Sequence, residues 1–139
     1  MYVQNYHKDQ DGLSGSIPEG LSNLNKLKLI GLQKGFTGGI LPSDLGRIRT
    51  LRVLDLDYNA FYGPFPTFAK SNSLQLLDIN FNGFDGNLQF LRNMTNLKVA
   101  QLDNNFFVGS IPESLGDLSS LGKVYVPTFE DISFLYAYF

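Results

Sequence analysis

The chain of 139 residues contains no cysteine, which removes the thiol nucleophile, the disulfide staple and the thiolate-bound zinc site in one step. Its only histidine, His7, sits in the polar opening stretch, so a His-based nucleophile relay has no scaffold to orient it and no His/Cys cluster is there for zinc. Long apolar runs are missing as well. The most apolar segment, Ile132 to Phe139 (ISFLYAYF), has eight residues, far below the roughly 18 that cross a bilayer. The start, MYVQNYHKDQDG, lacks the apolar centre of a secretory signal. Charge is nearly balanced at a formal −2, so no global basic field points to nucleic acid, and any electrostatic recognition is local. What remains is a chain with 43% apolar residues, enough for one modest globular domain.

Against these absences stands a strong internal repetition. Leu51, Leu54, Leu56, Asn59, Phe61 and Gly63 return as Leu74, Leu77, Ile79, Asn82, Phe84 and Gly86, then as Leu97, Ala100, Leu102, Asn105, Phe107 and Gly109. The spacing is 23 residues (74 − 51, then 97 − 74) and then 24 (121 − 97), within the roughly 20 to 29 of leucine-rich repeats. Within RVLDLDY, large apolar residues alternate with polar ones, so Leu54 and Leu56 face inward while Val53, Asp55 and Asp57 face the other way on a short strand. One such coil cannot bury its leucines alone; stacked coils make a parallel sheet over a continuous core.

Asn59, Asn82 and Asn105 share the phase where the strand turns away, and their amides are expected to bond open backbone groups in their own and the next coil as a structural ladder. Phe61, Phe84 and Phe107 share another phase and are expected to stack as a core column.

The LxxLxLxxNxFxG frame and the segment Gly109-Ser110-Ile111-Pro112-Glu113-Ser114-Leu115-Gly116-Asp117-Leu118 resemble the plant-type leucine-rich repeats of receptor-like kinase ectodomains and polygalacturonase-inhibiting proteins. The resemblance implies an α/β, β-rich, right-handed solenoid with a parallel concave sheet and an irregular convex side of short strands and helical turns. It also implies an extracellular or cell-surface location. Such ectodomains usually close both ends with disulfide-bearing caps, and this chain departs from them there. With no leader in evidence, it reads as an internal slice of a longer ectodomain, or an incomplete gene model, rather than a complete secreted protein.

Residues 1–139 form one domain of about five coils in this reading. Over residues 1–12 the first coil is frayed or incomplete: Val3 and Tyr6 fall on core positions, but Lys8 stands where a leucine belongs and Asp11 where the asparagine belongs. The coil beginning at Leu27 loses its asparagine, and Phe36 comes one residue early. After Pro66 the tail is one residue short, with Phe68 in the place of the leucine. Asn87-Leu88-Gln89-Phe90-Leu91 replaces the Ile-Pro pair, which frees a backbone amide that proline would have removed. Residues 127–139 are a non-repeat tail, either folding over the last coil as a cap or forming an exposed apolar patch.

Stacked strands place equivalent outward residues ~4.8 Å apart, so the repeat phase gives columns. One runs Gly31, Asp55, Asp78, Gln101, Tyr125; the next runs Gln33, Asp57, Asn80, Asp103, Pro127; beside them run Lys34, Tyr58, Phe81 and Asn104. Asp55, Asp57, Tyr58, Asp78, Asn80, Phe81, Gln101 and Asp103 thus make an acidic, amide-rich concave face with an aromatic flank, suited to basic peptide or protein groups or to the hydroxyls of a cell-wall oligosaccharide. The expected function is non-catalytic recognition; the alternative is a structural spacer without a ligand site of its own. Catalysis is disfavoured because an open sheet offers no pocket to desolvate one carboxyl of a pair such as Asp55 and Asp78. No cofactor, metal, nucleic-acid partner or membrane insertion is expected, and Asn93-Met94-Thr95 is the one glycosylation sequon.

Overall fold

The computed structural model describes residues 2–5, 15–34, 38–68, 73–126 and 135–138. Nine strands are placed among them: β1 (Tyr2–Asn5), β2 (Leu29–Leu32), β3 (Val53–Asp55), β4 (Tyr62–Pro64), β5 (Leu76–Asp78), β6 (Gly83–Asp85), β7 (Val99–Gln101), β8 (Lys123–Val126) and β9 (Leu135–Tyr138). The larger sheet has the order β1-β2-β3-β5-β7-β8-β9, parallel throughout except for β9, which pairs antiparallel with β8. A second, two-stranded parallel sheet, β4-β6, forms on the other side of the coil, where each Phe–Gly segment turns back. The fold is therefore a solenoid, as the repeat requires.

The core is built one layer per coil. Leu27, Leu51, Leu74, Leu97 and Leu121 are buried at the first leucine position, and Ile30, Leu54, Leu77, Ala100 and Val124 pair in register at the next. Phe61 and Phe84 stack with centroids 6.3 Å apart, and Phe84 and Phe107 with centroids 6.5 Å apart, so the rings make a column behind the sheet. Phe68 is buried in the place of the leucine, against Phe65.

The asparagine amides tie the layers together. Asn82 donates to its own coil at Ile79 O (3.1 Å) and Asn80 O (3.1 Å), and to the preceding coil at Leu56 O (2.8 Å), while its Oδ1 accepts from Phe61 N (3.1 Å). Asn105 repeats the arrangement with Ile79 O and Phe84 N, and Asn59 reaches Leu32 O. The ladder thus points back to the preceding coil, not to the next one, because each turn follows its strand and lies under the carbonyls already laid down.

The convex tails make short 3-10 turns: Leu21–Asn23, Ser43–Arg47, Leu88–Asn93 and Glu113–Asp117. Pro42 and Pro112 start two of them in extended conformation. Where Gln89 replaces that proline phase, the freed amide donates to Asn87 Oδ1 at 3.0 Å. Gly63, Gly86 and Gly109 carry φ of 79°, 81° and 90° where the chain leaves the Phe column, a region that only glycine enters without cost.

The first strand differs from the repeat phase. Val3 lies opposite Ile30 and Asn5 opposite Leu32, where the spacing puts Tyr6 and Lys8. The Phe36 shift, the rest of residues 6–14, and Pro127 lie outside the described residues.

Candidate ligand-binding face

The outward columns of the large sheet are in the register that the repeat phase implies: Gly31, Asp55, Asp78, Gln101 and Tyr125 are successive partners. Toward the start of each strand, a half-buried aliphatic column, Leu29, Val53, Leu76 and Val99, lies alongside. The face is thus a set of parallel stripes, first aliphatic, then acidic and amide, then aromatic.

The acidic stripe is organised by amides. Gln33 Nε2 donates to Asp55 and Gln101 Nε2 to Asp78, each across one coil boundary. Asp55 Oδ1 also accepts from Asp57 N (3.4 Å) and Asp78 Oδ1 from Asn80 N (3.2 Å). Burial pushes the Asp78 carboxyl up to about 7; the charges of Asp55 and Asp57 add to the rise, against the Asn80 N–H and the Gln101 amide. Burial likewise raises Asp55, with the Asp57 charge adding to it and the Asp57 N–H and Gln33 opposing. Asp57 is raised by burial and held back by Lys34. Among the described residues, Asp57 Oδ1 and Asn80 Oδ1 are buried oxygens without a donor, so the stripe is rich in acceptors.

The aromatic stripe is a stack. The Tyr58 and Phe81 rings lie 4.2 Å apart at 11°, both remain well exposed (47% and 40%), and Lys34 Nζ sits 5.3 Å from the Tyr58 ring centre. Lys34, Tyr58, Phe81 and Asn104 all have left-handed backbone, with φ between 50° and 54°. For Tyr and Phe this costs about 1–3 kcal/mol each. Recurring at one phase in four coils, the left-handed residue belongs to the turn itself: Tyr58, Phe81 and Asn104 each precede a ladder asparagine, and Lys34 keeps the conformation in the coil that has none.

Sequence reasoning reaches the acidic and aromatic columns but misses the left-handed turn, the aliphatic stripe and the amide clamps on Asp55 and Asp78. The alternation of Val53 against Leu54 was signal enough for the stripe. No group of three or more His, Cys, Asp or Glu able to hold a metal occurs among the described residues. Asn93 of the sequon is half-buried at the end of a 3-10 turn, beside an open convex groove of about 540 Å³ lined by Phe65, Asp85, Asn87, Gln89, Phe90 and Arg92.

With this geometry, the comparisons with known proteins converge. Residues 96–118 match the model of the Leucine Rich Repeat family. The LRR ectodomain of the receptor kinase SOBIR1 from Arabidopsis thaliana superposes with a TM-score of 0.76 at 32% identity, over 85% of this chain and 65% of that one. Its fold is the plant-type leucine-rich repeat.

A leucine-rich-repeat receptor of the same plant, the Arabidopsis receptor kinase HAESA, solved with the peptide hormone IDA and the co-receptor SERK1, superposes with a TM-score of 0.74 at 32% identity. The match covers 83% of this chain and 20% of HAESA. Receptor-like protein kinase 7 of Arabidopsis thaliana is 39% identical over 62 residues, 44% of this chain and 6% of that protein. The chain therefore spans a small fraction of the receptor kinase and about two thirds of the SOBIR1 ectodomain. No helix among the described residues is long and apolar enough to cross a membrane.

Proposed function

We propose that this chain is a non-catalytic recognition segment of a receptor-type ectodomain, exposed outside the cell, whose concave face takes an extended peptide or protein segment bearing basic side chains. The observation that carries the reading is the placement of Asp55, Asp57, Asp78 and Asp103 on one open face beside the exposed Tyr58–Phe81 stack. Carboxylates at neighbouring coils attract Lys and Arg and repel acidic partners, and a guanidinium that reaches the aromatic stripe stacks on it. HAESA, in complex with a peptide hormone, lends support by likeness of fold.

Changing Asp55 and Asp78 to Asn keeps shape and hydrogen-bonding capacity while deleting charge. Against an arrayed library of peptides and oligosaccharides, that pair is expected to weaken basic peptides about tenfold or more, as two partly exposed ion pairs are lost. Oligosaccharide binding is left unchanged. Basic-peptide binding insensitive to both changes refutes the reading. In the same picture Asn93 carries an N-linked glycan when the chain passes through a secretory pathway. A mass shift that disappears in Thr95→Ala tests that assignment.

A further inference from the structure

The coil that begins at Leu74 departs from its neighbours on the convex side. Where the two preceding coils carry Ile40, Pro42 and Ser43, then Pro64, Pro66 and Thr67, this one carries Asn87, Gln89 and Phe90. Amides thus replace apolar or imino residues, and a phenylalanine replaces a small hydroxyl residue. Phe90 is turned inward at 5% exposure, with its ring centre 4.7 Å from that of Phe65 and 5.6 Å from that of Phe107. Asn87, Gln89 and Arg92 stay exposed around it, with Asp85 across from them.

The result is the open convex groove of about 540 Å³, with the nearly closed rings of Phe65 and Phe90 as a shallow apolar floor and polar side chains as walls. Among the described residues, no hydrogen bond or ion pair engages the side chains of Asp85, Gln89 or Arg92, so the walls hold uncommitted donors and acceptors. Asn93 belongs to the same wall, half-buried at the last position of the 3-10 turn Leu88–Asn93, and its side-chain amide is unengaged as well. Four residues before the first leucine, where Asn93 stands, other coils have Asn23, Arg47 and Asp117, none of them followed two residues later by Ser or Thr except Asp117. The sequon and the groove therefore fall in the same coil, on the same turn.

We propose that this groove seats the first N-acetylglucosamine of a glycan carried by Asn93, so that the sugar packs as part of the convex surface instead of extending into solvent. The inference rests on the reading of Asn93 as a glycosylated residue. The apolar C–H face of the ring and the acetamido methyl cover the Phe65–Phe90 floor. The acetamido N–H and C=O match the Gln89 and Asn87 amides, while sugar hydroxyls donate to the Asp85 carboxylate and accept from Arg92. The volume falls in the ~300–1,000 Å³ range of sites that hold small ligands, enough for one or two sugar rings. So open a groove holds a free sugar only weakly. A covalent stem changes that, because it keeps the sugar at an effective concentration of about millimolar or more. A peptide fits less well: it would share the groove with a glycan rooted on its wall, and a floor already closed over by its neighbours gives no deep pocket for an anchoring side chain.

The test uses the full chain secreted from a eukaryotic host, with protein mass giving the occupancy of Asn93. Unfolding midpoints are compared for the intact glycoprotein, for the form trimmed by an endoglycosidase to a single N-acetylglucosamine, and for Thr95→Ala, which carries no glycan. The trimmed form is expected to melt with the intact one, and both about 2–4 °C above Thr95→Ala. Gln89→Ala with Arg92→Ala is expected to remove that difference in the glycosylated chain and to leave the Thr95→Ala background unchanged, a coupling that a general effect of glycans on the unfolded chain does not produce. Gln89→Ala alone serves should the pair fail to be secreted. In isotope-labelled glycoprotein the acetyl methyl is expected to show magnetic contacts with the Phe90 ring and restricted motion. A methyl as mobile as in the free sugar, or a stability increment that survives the groove variants, overturns the proposal. Groove variants that weaken peptide binding while the methyl stays mobile give the groove to a peptide and overturn it too. A secreted chain with no glycan at Asn93 removes both the modification and its seat, whereas a glycan that is attached but mobile removes the seat alone.

Discussion

Asn82 holds Leu56 of the preceding coil through a 2.8 Å bond from its amide to the leucine carbonyl, and closes the same link by accepting from Phe61 N at 3.1 Å. One side chain thereby satisfies backbone groups on two coils that the turn has removed from any sheet. It is the one buried polar side chain among the described residues. A solenoid of so few layers depends on such cross-links, since each coil has only its neighbours to pack against.

Asn82→Ala is expected to cost about 1–3 kcal/mol, the penalty for leaving a buried amide and carbonyl unpaired. Asn104, one position before the ladder asparagine Asn105 of the next coil and in outward, exposed, left-handed backbone, gives the comparison: Asn104→Gly suits that backbone and is expected to be nearly neutral. Denaturant midpoints decide it. Equal losses at the two sites rule out the ladder as the source.

Gly46 and Gly116 hold the same place in the Leu-Gly motif but not the same surroundings. A Cβ at Gly46 would stand 2.3 Å from Thr67 O of the following coil, whereas one at Gly116 meets nothing within 4 Å. Gly46→Ala is therefore expected to force adjacent coils apart at about 1–3 kcal/mol, and Gly116→Ala to be neutral or slightly stabilising. Thermal melting of the two variants side by side checks this, and a Gly46→Ala protein as stable as its parent contradicts the packing.

Much of this was legible because a repeat measures itself. Leu54, Leu77 and Ala100 share a phase, so their pairing and that of Asp55, Asp78 and Gln101 follow from counting. Counting fails where the repeat does: Val3 pairs with Ile30 although the spacing puts Tyr6 there, because a single weak coil is free to shift its strand. It is also blind to backbone sign, since Tyr58 and Phe81 adopt left-handed turns that neither residue favours by itself.

Stability is expected to fall as pH rises from about 4 to about 7. Asp78 sits at about 7 in the folded chain against 3.8 as its ordinary value, so in that window the folded chain holds a proton that the unfolded chain has released. Its contribution is fully present below 3.8 and is lost as pH climbs through about 7. Asp55 and Asp57, raised in the same direction, act alike. Asp78→Asn should flatten the curve of unfolding midpoint against pH without abolishing it, whereas unchanged curvature would place the titrating group elsewhere.

The same titration should govern the ligand. At pH below about 6 the Asp78 carboxyl is largely neutral, because its burial and the charges of Asp55 and Asp57 favour the proton there. Raising the pH through about 7 gives Asp78 its charge, and the amide of Gln101 and the Asn80 N–H are already in place to hold the carboxylate. A basic peptide bound on this face is then expected to tighten about two- to fivefold between pH 5.5 and 8, the worth of roughly 0.5–1 kcal/mol for one partly exposed pair. Asp78→Asn should remove most of that pH dependence. Tyr58→Ala, which removes half of the ring stack, should weaken binding by a similar factor at both pH values, because ring stacking involves no exchange of protons. Titrations of parent and variants with one arginine-rich peptide at the two pH values separate these contributions. Affinity that falls as pH rises, or a pH dependence that survives Asp78→Asn intact, removes the acidic stripe from the recognition of cations.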